Sequence, residues 1–276
     1  MHVSLELAAE IEAAEADLLR CIAQGSQARR AEHGAWWHDL GAGCAGFGGP
    51  HAPINKISGL GFGPLPTGEA FDEVEARFAR HGCPSVAEVS TCAGPEWFEL
   101  LAERGYRLAA FEDVVGIALP AEGCAVDGVE VERVEAGSER EAWFSSLLDG
   151  FACPDSQGVA ALEDFPREII DGTMRDMATI ADYSTWTARI GGEVAGGGAL
   201  RTHAQVAHLC GAATRPAFRR RGAQTALVAA RLAAASAAGC RLAVTVTQPG
   251  SKSQQNMIRQ GFERLYARAT MVRPSA

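Results

Sequence analysis

The chain has 276 residues, 47% hydrophobic and 21% charged, a globular composition long enough for two ordinary domains or one large one. Acidic residues (34) outnumber basic ones (25), and the net charge of -9 excludes a general affinity for nucleic acid while leaving room for a local basic patch. No apolar run approaches the roughly 20 residues of a membrane span, the N-terminus lacks the basic-then-apolar order of a signal peptide, and the eight cysteines show no C-x-x-C spacing. The expected address is the cytoplasm, with free thiols.

Residues 4–23 predict an amphipathic helix from Leu7, Ile11, Ala14, Leu18 and Ile22, with Gly25 as its end. The segment His33-Gly34-Ala35-Trp36-Trp37-His38 lacks a ligand spacing, and its tryptophans read as packing residues. Residues 41–69 are rich in Gly and Pro, with a short apolar piece around Ile54 to Phe62 and no Lys or Ser/Thr in P-loop position. A helix fits Ala70 to Arg80, closed by Gly82; a strand fits Val86 to Val89. Pro95 to Arg104 reads as a helix opened by proline and closed by Gly105, and Leu108 to Leu119 as a strand. Pro120 to Asp127 is the expected linker, dividing the chain into domains 1–124 and 125–276.

Beyond it, Val129 to Val134 alternates as a half-buried strand, and residues 137–177 read as helical with a break at Pro154-Asp155. Thr185 to Arg201 forms a hairpin across Gly191-Gly192, and Val206 to Ala213 a further strand. Gln224 to Ala238 reads as a helix, Leu242 to Val246 as a strand, Ser253 to Gln260 as a short helix and Phe262 to Val272 as the last strand. This order predicts a mixed α/β (α+β) sheet with a parallel crossover. L-L-A-E-R-G-Y at Leu100 to Tyr106 and N-M-I-R-Q-G-F at Asn256 to Phe262 both precede a terminal strand, which reads as two copies of one fold.

Ala207 to Thr225 is the most informative stretch. A strand ends at Arg215-Pro216, Arg219, Arg220 and Arg221 follow, and Gly222 opens an Ala-rich helix. Helix N-terminal amides beside fixed positive charge suit a diphosphate. At Arg219-Arg220-Arg221-Gly222-Ala223-Gln224 the chain resembles the R/Q-x-x-G-x-G/A signature of the GCN5-related N-acetyltransferases (GNAT). Thr214 to Phe218 is similar to that family's V-x-P-x-Y lead-in, and Arg259 to Phe262 to its closing x-x-G-F. The resemblance covers residues 129–276; in the first half Gly63 to Ala70 stands in place of the arginine loop.

The resemblance implies a tandem protein of two GNAT-like domains, each a mixed central sheet flanked by helices, the first degenerate and the second with splayed fourth and fifth strands. It implies acetyl-CoA as cofactor, its pyrophosphate on amides from Arg221 to Thr225 (so Arg221, Gly222, Ala223, Gln224, Thr225) and its pantetheine arm along Ala212, Ala213 and Thr214. A backbone N–H there would steady the developing oxyanion. Transfer to a primary amine would run by direct attack in a ternary complex. Gln224 departs from Gly/Ala, and its side chain must point away from the phosphates; Met257 stands where the family has its tyrosine acid.

Ser253, Asn256 and Tyr266 are the substitutes for that acid; Ser253 reads as a helix cap ahead of an acid, and Asn256 as either an incidental exposed residue or a ligand of the cofactor arm. His208, on a strand beside the cleft, is the candidate general base, with Glu193 and His203 behind it, while Cys210 reads as packing. No metal is expected. The acceptor is a small-molecule or protein amine, and the acidic balance favours a cationic one by steering. The first domain would shape the acceptor pocket or a dimer surface, and a homodimer is open. The alternative reading, from the missing tyrosine, is a non-catalytic acyl-CoA-binding sensor.

Overall fold

The computed structural model describes residues 3–121, 123–154, 159 and 165–275. In chain order the first elements are α1 (Leu5–Arg29), β1 (Trp36–Leu40), β2 (Gly43–Phe47), β3 (Lys56–Leu60), α2 (Gly68–Arg80), β4 (Ser85–Ser90), α3 (Pro95–Glu103) and β5 (Arg107–Ala118). Then come β6 (Glu130–Val134), α4 (Gly137–Phe151), α5 (Arg167–Met177), β7 (Tyr183–Ile190), β8 (Glu193–His203) and β9 (Val206–Thr214). The last are α6 (Ala223–Ala237), β10 (Leu242–Thr247), α7 (Lys252–Arg259) and β11 (Glu263–Arg273). The fold class is the mixed α/β (α+β) one that the pattern predicts.

Contacts divide the chain into two compact units, the first His2–Val114 with Leu265–Ala276 and the second Val115–Arg264. The end of β11 therefore belongs with the chain's first half, which a contiguous division at 124/125 does not anticipate.

In the first unit β1, β2 and β3 are successive antiparallel neighbours, β3 and β4 are parallel, and β11 closes the row antiparallel to β4. Helix α1 starts at Ser4, whose hydroxyl accepts the amide of Leu7, and runs through Gly25, the expected stop, to Arg29. Gly25 is buried there, and the next residue, Ser26, donates to Gly48 O at 2.9 Å, so tertiary packing overrides the weak local signal. The Gly-rich stretch hides β2: all five residues of Gly-Cys-Ala-Gly-Phe are buried, and a Cβ on Gly46 would meet Leu19 at 2.9 Å. A strand pressed this close to a helix needs small residues, and small residues read as loop. Trp36 packs at 4.9 Å from Phe78 and 6.1 Å from Phe47, the packing role expected of it.

A second cluster in this unit is polar. Glu12 is fully buried and accepts from Tyr266 Oη and Arg268 Nε, both at 2.7 Å. Lys56 Nζ and Ser58 Oγ hold the two oxygens of buried Glu88 at 2.7 and 2.8 Å.

In the second unit the strands run β5-β10-β9-β8-β7-β6. Helix α6 crosses from β9 to the parallel strand β10 and packs Val228, Leu232 and Ala235 on Leu200, Leu209 and Ala243. Helix α4 sets Trp143, Phe144 and Leu147 against Tyr183 and Ala199. Ala199 and Leu200 are successive on β8 and enter different clusters, as the alternation of a strand requires. Helix α4 ends at Phe151; of the expected break, Pro154 lies past that end and Asp155 lies outside the described residues.

The internal repeat is physical. Gly105 (φ +86°) and Gly261 (φ +89°) end α3 and α7 in the left-handed region, and Tyr106 N and Phe262 N bond back to Leu101 O and Met257 O, at 2.9 and 3.2 Å.

Candidate active site

Strands β9 and β10 pair only at Leu242↔Val206, Ala243↔Ala207 and Val244↔His208. Past that rung β9 runs on to Thr214 without a partner on the β10 side. On its other edge the β8–β9 register slips by one residue between Gly197/Ala199, and Gly211 takes φ +52° inside the resulting bulge. The strands part, and a cleft of about 1520 Å³ opens over the Ala212 to Thr214 edge.

The loop after β9 forms the cleft's phosphate-sized corner. Pro216–Phe218 makes one 3₁₀ turn, Arg220 sits at φ +61°, and Gly222 at φ +86° caps α6. A non-glycine residue held at positive φ stores strain, which clusters at ligand sites. A Cβ on Gly222 would lie 2.4 Å from Val126 Cγ1, so both backbone angle and space require glycine. No side chain caps α6 among the described residues, and its first i to i-4 bond is Ala226 N to Gly222 O at 3.0 Å. The amides of Ala223, Gln224 and Thr225, all cleft-lining residues, thus form an open helix N-terminus with the positive end of its dipole.

The charged residues lining the cleft are Arg167, Arg219, Arg220, Lys252 and Arg259; no Asp or Glu is among the described lining residues. Arg167 is half exposed and pairs with Asp149 at 3.0 Å, which Arg215 Nε shares at 3.1 Å. A local basic surface therefore lies on an acidic chain, as the composition left room for. Leu148, Phe151 and Ile170, from α4 and α5, give the cleft an apolar wall.

Of the residues the sequence singles out, Ala212, Ala213, Thr214, Arg219, Arg220, Gly222, Ala223, Gln224, Thr225, Asn256 and Ser253 all line this cleft. Arg221 does not; it is exposed and lies over the Phe218 ring at 5.4 Å. Gln224 Oε1 accepts from Asn256 Nδ2 at 2.6 Å, and Arg259 Nη1 donates to Asn256 Oδ1 at 3.0 Å. The Gln224 side chain is thereby held toward α7.

The acid and base candidates fare differently. Ser253 is exposed in the first turn of α7, and the cap is Ser251, whose hydroxyl accepts from Gln254 N at 3.1 Å; the capping expectation for Ser253 is corrected. Met257 is buried beside Phe262 and carries no proton to donate. Tyr266 belongs to the other unit, is not a lining residue, and commits its hydroxyl to Glu12; burial and the adjacent Glu12 charge push its pKa far up. Helping a leaving group from there finds no support. His208 is buried on the last paired rung of β9 and is not a lining residue either. Cys210 packs partly buried against the α4 cluster, as expected of it.

The sequence pattern misses several participants. Lys252, one of two lysines in the chain, opens α7 at the cleft. Buried Arg231 donates to Leu227 O and Ala199 O, both at 3.0 Å, fastening α6 to β8; burial lowers its pKa to about 10. Its guanidinium lies where a Cβ on Gly198 would be, 2.9 Å away, so the glycine is the one sequence trace it leaves.

Split parallel strands, a bulge and an uncapped crossover helix frame this cleft, and known proteins share the fold. Residues 156–262 match the model of the Acetyltransferase (GNAT) family. The whole chain shares its fold with a GCN5-related N-acetyltransferase from Kribbella flavida, at TM-score 0.66 and 19% identity, covering 99% of this chain and 98% of that one. It is likewise similar to a tandem GNAT protein from the clavulanic acid biosynthesis pathway, at TM-score 0.61 and 11% identity, covering 97% and 96%. No protein of curated function matches the sequence. No helix among the described residues is long and apolar enough to cross a membrane.

Proposed function

We propose that the protein is an acetyl-CoA-dependent N-acetyltransferase that passes the acetyl group to a primary amine by direct attack in a ternary complex. The observation that carries this reading is the uncapped α6 N-terminus at a cleft whose described charged lining is wholly cationic. Coenzyme A brings a diphosphate and a 3′-phosphate, and its thioester supplies the acyl group. Amides of Ala223, Gln224 and Thr225 would hold the diphosphate, with Arg220 as the nearby charge. The unpaired β9 edge at Ala212 to Thr214 would order the amide-rich arm as an added strand. An N–H on that edge would face the carbonyl oxygen as negative charge develops, worth roughly 3 kcal/mol in related acyl-transfer sites. The remaining gain comes from holding amine and thioester together.

The division of labour proposed for the two units makes the second, with its open helix, the catalytic one, and the first a degenerate copy. The acceptor enters a cleft with no described lining carboxylate, so the wall offers nothing to pair a cationic amine; overall acidity and local charge point opposite ways. A soluble cytoplasmic enzyme accords with eight cysteines that form no disulfide.

Titration calorimetry with CoA tests the binding claim, and thiol release from acetyl-CoA across a panel of primary amines tests transfer. One observation favours a second reading: among the residues proposed as acids, only Ser253 and Asn256 line the cleft, and neither is an acid of suitable strength. A non-catalytic acyl-CoA sensor would bind CoA with the same geometry and release no thiol with any amine. A thiolate leaves tolerably without full protonation, since a cysteine-like thiol has a pKa of about 8.5, which is why catalysis remains the first reading.

A further inference from the structure

Arg219 occupies the first position of the arginine loop, yet its guanidinium is turned away from the helix N-terminus. Nη2 donates to Gly150 O at 3.2 Å and to Cys153 O, and Nε donates to Thr214 O at 3.4 Å. Gly150 lies in the last turn of α4, and Cys153 two residues past its end. Gly150 O is among the acceptors a helix C-terminus leaves without intrahelical donors, and Cys153 O lies just past that end. A cation placed there satisfies them and complements the negative end of the dipole.

The contact is close on both sides. A Cβ on Gly150 would lie 2.6 Å from Ala213 Cβ and 3.2 Å from Thr214 O, so α4 ends directly on the unpaired β9 edge. Next to it, Leu148, Phe151 and Pro154 form one wall of the cleft. The other end of the same loop is the open N-terminus of α6, three residues past Arg219. One short loop thus joins the C-terminus of the wall helix to the phosphate corner.

We infer that Arg219 is a positioning residue that couples occupancy of the phosphate corner to the α4 wall, rather than a ligand of the phosphates. Anchoring of the amides after Gly222 fixes the loop; the guanidinium, already engaged by three carbonyls, transmits that fixation to residues 150–153. The cofactor would in this way order the surface against which the acceptor must pack. This rests on the acetyl-CoA reading above, and the test separates the two.

CoA is the probe, with affinity read by titration calorimetry and local order by hydrogen–deuterium exchange of peptides covering Leu148 to Cys153. In the wild type, saturating CoA is expected to slow exchange there at least fivefold. Arg219→Ala should keep CoA affinity within threefold and lose that protection. Arg219→Lys, one donor head in place of a fork, should recover part of it, and Arg219→Gln serves if the alanine variant fails to fold. Arg220→Ala should instead weaken CoA tenfold or more and leave the wall's exchange in the free protein unchanged. Loss of affinity in Arg219→Ala equal to that in Arg220→Ala overturns the inference, as does equal protection of the wall by CoA in wild type and Arg219→Ala. Failure of the wild type to bind CoA sinks the functional reading itself.

Discussion

The chain makes the same crossover twice, and the two versions differ where chemistry would occur. From β3 to α2 the turn runs through Pro64 and Pro66 to Thr67, whose hydroxyl accepts from Ala70 N at 3.2 Å and closes the helix N-terminus. From β9 to α6 it runs through Arg215 and three consecutive arginines to Gly222, and no side chain closes the helix. Strand β3 also stays paired to its last residue, Leu60↔Val89, while β9 leaves its partner after His208 and continues for six residues. Each strand carries a left-handed glycine, but Gly59 is packed beneath α1, where a Cβ would meet Ala16 at 2.7 Å and Glu12 O at 2.9 Å. An anion site in this fold needs an uncapped helix and parted strands together. The first crossover has neither.

The largest expected effect comes from closing the open corner. Gly222→Val adds a Cβ that strikes Val126 and a left-handed backbone cost of about 1–2 kcal/mol; CoA affinity should fall at least a hundredfold by calorimetry, with the fold retained by circular dichroism. Next is Tyr266→Phe, which removes a donor from buried Glu12 and should cost about 1–3 kcal/mol in urea unfolding while leaving the rate of thiol release unchanged. A tenfold rate loss at unchanged stability would return Tyr266 to the chemistry.

Glu112 gives a pH-dependent contrast confined to the first unit. Burial, then the neighbouring Glu88 charge, pushes its pKa up from 4.5 to about 7, against the pull of Lys56. The folded state holds this proton more tightly than the unfolded one, so the group's contribution is present below about pH 4.5 and lost as pH rises through 7. Glu112→Gln should therefore stabilise the protein at pH 8, on the order of 2 kcal/mol, and do little at pH 4, measured as unfolding midpoints. A gain that is equal at both pH values would show that Glu112 is not held protonated. Smallest is Thr67→Ala: loss of the α2 cap should cost about 1 kcal/mol and leave CoA affinity untouched, since the proposed CoA corner lies at α6.

Much of the second unit was legible because its signals are local. Gly222 and the arginines announce an open helix, the Gly191-Gly192 turn announces the β7–β8 hairpin, and the alternation of Val129 to Val134 announces β6. The Asn256–Gln224 bond across the cleft joins residues 32 apart, and only spacing in the fold brings them together. The wall residues Leu148, Phe151 and Ile170 look like any apolar helix positions in sequence. Tyr266 shows the converse error: near the right motif in sequence, it points into a carboxylate network belonging to the other unit. Arg219 matched the expected charge but spends it on carbonyls, a distinction that no residue pattern carries.

Residue-resolved amide exchange of the wild-type protein, free and saturated with CoA, tests the central contrast most directly. Protection of Ala223, Gln224 and Thr225 at the start of α6, with the first turn of α2 from Gly68 to Ala70 unchanged, is the predicted result. CoA binding that leaves the α6 amides unprotected, or that protects the start of α2 instead, would contradict the account.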